Sequence, residues 1–75
     1  MFQKQNYSDQ ELFQALKARF EAKRHEALAN MKVLFSNPVG VAEHPNLVET
    51  LSSLAEELAH SEDVILTLEK NFGNK

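Results

Sequence analysis

Two groups of side chains in this 75-residue chain have types and spacings that could do chemistry. Glu57 and His60 form Glu-x-x-His, the spacing by which ferritin-like four-helix bundles offer a carboxylate and an imidazole to a di-iron centre, and Glu21, His25 and Glu26 could face them from an earlier helix. The second group is Glu43, His44 and Asn46 in the stretch SNPVGVAEHPN, beside the start of a later helix whose backbone N–H groups would favour an anion. Neither group goes far. With Leu51, Leu54, Leu58 and Ile65 turned to a core, Glu57 falls on the flank and His60 in solvent. One histidine and one carboxylate in the loop are too few for a metal or a reaction. No Gly-rich phosphate loop is present, and no Ser/His/Asp spacing appears. The chain reads as a non-enzyme with no cofactor.

A third candidate is KARFEAKRHEALANMK, where Lys17, Arg19, Lys23, Arg24 and Lys32 are interleaved with Phe20 and His25. Glu21 and Glu26 interrupt it, and the net charge of −3 with pI ≈ 5.5 disfavours a nucleic-acid partner, whose phosphates require a dense basic face. A protein partner fits the charge better. There is no cysteine, which removes disulfides and thiolate chemistry. No apolar run approaches the ~20 residues of a membrane span, and MFQKQNYSDQ has neither the apolar core nor the small-residue cleavage site of a signal peptide. The expected setting is the cytoplasm, without membrane.

The elements that must position these side chains are helical. In YSDQEL, Ser8 and Glu11 form a capping box with Tyr7 and Leu12 at the staple positions, so helix 1 is expected over about 9–36. Phe13, Leu16, Phe20, Ala27, Met31 and Leu34 recur near a period of 3.6, with Leu28 and Phe35 widening the stripe. The same period carries Arg24 into the stripe, its stem packing and its guanidinium reaching a carboxylate. Asn37-Pro38 stops the helix. A loop over 37–44 follows, with Val39 and Val41 covering the open end of the core, and Pro45 suits the first position of helix 2, about 45–72. Helix 2 carries Leu47, Leu51, Leu54, Leu58, Ser61, Ile65, Leu68 and Phe72 at alternating steps of four and three, a coiled-coil seam, with Gly73 placed as its C′ residue.

Folding the chain about the loop pairs Leu34 with Val48, Met31 with Leu51, Ala27 with Leu54, Phe20 with Ser61 and Leu16 with Ile65. The largest residue of one seam thus meets the smallest of the other, and Arg24 falls near Leu58, within reach of Glu57 or Glu62. Residues 9–35 hold five basic and four acidic side chains and residues 43–72 seven acidic and one basic, so the helices attract. The expected fold is all-α, a single antiparallel two-helix hairpin domain.

FSNPVGVAEHPN between a basic-flecked first helix and the LAEELAHSED of the second resembles short uncharacterised helical-hairpin proteins of tailed phages, particularly the contractile-tailed phages of cyanobacteria. The resemblance covers Phe13 to Phe72 and implies a phage-encoded protein of the host cytoplasm or the virion. It implies no activity and no catalytic residue.

A chain this short buries a small core, and oligomerisation is the staple that suits it. One antiparallel seam leaves Leu28, Phe35, Val48, Ala55, Ala59 and Leu66 beside it, a patch that soluble monomers seldom expose. The expectation is a homodimer, a four-helix bundle whose interface also draws on Phe20, Arg24 and Met31. The alternative is a small regulatory or accessory factor that uses the same patch to bind a host or phage protein, one associated with nucleic acid included.

Overall fold

The computed structural model describes residues 5–36 and 46–73, with side chains from residue 10 onward. Every described residue except Asn46 is helical. Helix α1 spans Gln5–Ser36 and helix α2 spans Leu47–Leu68, continuing into a π-helical turn at Glu69–Gly73. The two helices pack against each other as a hairpin of 55 × 22 × 16 Å.

The start of α1 differs from the sequence expectation. The helix begins at Gln5, four residues ahead of Asp9, so the backbone of Ser8 lies within it. Nothing between Gln5 and Ser8 is Gly or Pro, so no residue there prevents the i→i−4 ladder from running through the capping-box sequence. At its other end the Ser36 hydroxyl donates back to the carbonyl of Lys32 at 2.7 Å, the i−4 bond open to a helical serine. Asn46 stands at the N-cap of α2, where its carbonyl accepts from the Thr50 N–H at 2.8 Å and its side chain makes no capping bond. Pro45, Gly40, Val39 and Val41, with the whole 37–44 loop, lie outside the described residues.

The α2 side of the seam follows the expected register. Leu47, Leu51, Leu54, Leu58 and Ile65 are half-buried, and Ser61 and Leu68 are buried. Phe72, expected as the last member, is exposed. The π turn begins directly after Leu68, so the regular α-helical spacing of the seam ends before Phe72. Gly73 belongs to that turn and has no positive φ, so it is not the left-handed C′ residue expected.

On α1 the inward residues are Phe13, Lys17, Phe20, Arg24, Ala27, Met31 and Leu34, a strict four-three alternation. Leu16 was expected in this seam and is instead 43% exposed, with Lys17 in its place. Counting back a heptad from Arg24 leads to Lys17, and a lysine there keeps its stem on the core while its ammonium reaches an acid on α2.

Ala27 is 1% exposed and is, with Leu68, one of two buried apolar residues among those described. The hairpin core is therefore thin. Ser61 is 0% exposed and its hydroxyl has no hydrogen-bond partner. An unpaired buried hydroxyl costs roughly 1–3 kcal/mol, so Ser61→Ala, which keeps the small volume, is expected to raise stability by about 1 kcal/mol in a urea melt. A destabilised variant would mean that the hydroxyl has a partner.

Candidate functional site

Two ion pairs tie α1 to α2 on one side of the seam. The Arg24 Nε donates to a Glu62 carboxylate oxygen at 3.3 Å, choosing Glu62 of the two acids within its expected reach. One heptad earlier on α1 and one later on α2, Lys17 pairs with Glu69. The hydrogen bond and charge of Glu69, with a smaller contribution from Glu21, raise the Lys17 ammonium above its ordinary value of 10.5, and desolvation opposes this.

Both pairs follow from helix geometry. Arg24 and Lys17 each reach about one turn beyond the α2 residue directly opposite. Side chains lean toward the N-terminus of their own helix, and in an antiparallel pair that direction on α1 is the C-terminal direction of α2. The acids of α2 lean the opposite way and meet them. Solvent screens pairs of this kind, so they fix register more than they add stability.

Beside the Arg24–Glu62 pair lies an open groove of ≈ 440 Å³ lined by Glu21, Arg24, His25, Glu62, Ile65 and Leu66. This groove fixes which broad face of the hairpin is which. Leu28 and Phe35 stand one and two heptads beyond Glu21. Ala59 precedes Leu66 by a heptad, and Ala55 and Val48 precede Glu62 by one and two. The six residues expected to be left over by the seam thus share the groove's face. Leu28 is half-buried and the others are exposed, Val48 at 80%, Leu66 at 68% and Phe35 at 64%. Phe20 and Met31 are half-buried in the hairpin's own seam.

The opposite face carries Leu12, Leu16 and Val33, all from α1. Phe20 closes the seam there, with its ring centroid 6.2 Å from that of His60 in an edge-on arrangement and the Lys23 ammonium 5.9 Å above it. That contact places Phe20 within one residue of its expected partner, Ser61.

The chemistry-bearing candidates do not assemble. Glu57 and His60 are exposed, His60 being turned to Phe20, and His25 lies in the groove with Glu21 and Glu62. Among the described residues no three His, Cys, Asp or Glu side chains are placed to share a metal ion. Of the loop group only Asn46 is described, exposed at the head of α2, while Glu43 and His44 lie outside the described residues. No described helix is long and apolar enough to cross a membrane. Sequence reasoning missed the Lys17–Glu69 pair, although its signal was present: both partners lie seven residues from the Arg24–Glu62 pair, in opposite directions.

Comparison with protein-family models, with curated proteins and with solved structures finds no match for this chain. Fold and surface define an all-α helical hairpin with Phe35, Val48 and Leu66 exposed on its groove-bearing face.

Proposed function

We propose that this protein is a small non-enzymatic helical module that acts by self-association, two hairpins joining through the groove-bearing face into a four-helix bundle. The observation that supports this is the contrast between core and surface: Ala27 and Leu68 are buried, whereas Phe35, Val48 and Leu66 are largely open to water on one face. A hairpin with so thin a core gains more from covering that face than from anything within itself. Burying three large apolar side chains per copy at ~25 cal/mol per Å² favours association by several kcal/mol before the entropic cost of docking. The resemblance to tailed-phage hairpin proteins would set this module in a host cytoplasm or a virion.

Mass action supplies the test. For an obligate dimer the thermal midpoint rises with protein concentration, by several degrees over a hundredfold range, because association stabilises only the folded state. A midpoint independent of concentration from low to high micromolar contradicts the proposal. The groove favours a second reading. Its apolar floor of Ile65 and Leu66 and rim of both charges could hold a segment of a different protein, making the chain an accessory factor for a host or phage protein. A concentration-independent midpoint would move that reading to the front.

A further inference from the structure

Along the exposed face of α2, Val48, Ser52, Ala55, Ala59, Glu62 and Leu66 follow one another at steps of four and three, and all six are exposed. The order is symmetric about the level of Glu57: Ala55 and Ala59 lie two residues from it, Ser52 and Glu62 five, Val48 and Leu66 nine. Steps of four and three are the same from either end, and here the residue types follow them at two of three pairs, alanine with alanine at the centre and Val48 with Leu66 at the ends, so the reversed stripe fits itself as a two-fold, isologous contact requires. We infer that the α2 helices of two copies pack antiparallel across this stripe, on a two-fold axis at the level of Glu57, with Ala55 of each copy against Ala59 of the other and Val48 against Leu66. This rests on the self-association proposed above and names the helix, direction and register that the proposal leaves open.

Shape and charge both fit that occupant. The two alanines at the centre allow the helix axes a close approach, and the larger Val48 and Leu66 close the contact at each end. Glu62 is the one charged residue of the stripe, and Arg24 already holds its carboxylate within the same copy, so the stripe meets its own image without an unpaired charge. It then lies opposite Ser52, a possible donor. Parallel packing would instead set each Glu62 beside the other. The stripe runs about 27 Å from Val48 to Leu66. With Leu28 and Phe35 of α1 beside it, a contact two helices wide approaches the ~800 Å² per partner of a standard specific interface. The exposed large apolar residues of the opposite face, Leu12, Leu16 and Val33, all belong to α1, so α2 offers no comparable exposed apolar stripe there.

The chain has no cysteine, so single introduced thiols report the register directly. Val48→Cys and Leu66→Cys replace exposed side chains and leave the hairpin seam intact. Mixed in equal amounts and mildly oxidised, they are expected to give predominantly the heterodisulfide, identified by mass. Either variant alone should give little covalent dimer, because like positions are about 27 Å apart. Efficient self-cross-linking of either variant would show parallel packing and overturn the inference. So would dimers by light scattering that cross-link through Leu12→Cys and Val33→Cys instead, a result that leaves self-association standing. A monomeric unmodified protein would overturn both. As a second readout, Ala59→Arg is expected to weaken the dimer by about 100-fold or more with helicity retained, since it sets a charge in the closest part of the contact. Val33→Arg should leave the dimer intact, and equal effects of the two arginines would count against this face.

Discussion

Phe20→Ala is expected to lower the stability of the hairpin by about 3 kcal/mol, the low end of the range for removing a phenylalanine side chain from a packed site. The low end applies because Phe20 is half-buried. Its ring nevertheless meets that of His60 at 6.2 Å, at the level of Ser61, the smallest residue of the α2 seam, so truncation leaves a gap that the serine is too small to fill. With a core this thin, such a loss is comparable with the stability expected of the whole domain. A urea melt of the variant beside the unmodified protein at matched concentration measures it. A change below about 1 kcal/mol would contradict the pairing of Phe20 with the Ser61 level.

Ala27→Leu tests the other extreme of the seam. Ala27 is 1% exposed, so its methyl group is enclosed on every side, on the loop side of the ion pairs. Three further carbons there must push the helices apart or force an unfavourable rotamer, which costs roughly 1–3 kcal/mol. The expected loss is ~2 kcal/mol despite the gain in helix-forming apolar character. On an exposed helical site outside both the seam and the groove-bearing face the same change is near neutral, so Ala29→Leu, melted at matched concentration, serves as the control. Ala27→Leu matching that control would mean that position 27 does not lie in the seam.

Much of the fold was legible because α2 is written in a plain heptad pattern. Leu47, Leu51, Leu54, Leu58 and Ile65 need only alternating steps of four and three to be placed, and Ser61 stands among them where Phe20 requires space. The first helix was less legible because two seam positions are held by Lys17 and Arg24. Apolar periodicity detects a lysine poorly, so Leu16 took its place in the sequence-based register. Only the repeat of acid and base at seven-residue spacing on both helices could have shown otherwise. The start of α1 at Gln5 and the π turn at Glu69–Gly73 depend on whether a backbone ladder continues or widens, a choice that side-chain types bias only weakly. The surface was legible in outline: Leu28, Phe35, Val48, Ala55, Ala59 and Leu66 were grouped by spacing as surplus to one seam. The groove at Arg24, His25 and Leu66 was not, since it arises from how side chains of two helices lean toward each other.

Light scattering coupled to size exclusion, at low micromolar concentration, tests the central claim that the exposed face is covered by a second copy. The account predicts a particle of about twice the 8.5 kDa chain mass. A cooperatively melting monomer of 8.5 kDa would contradict it.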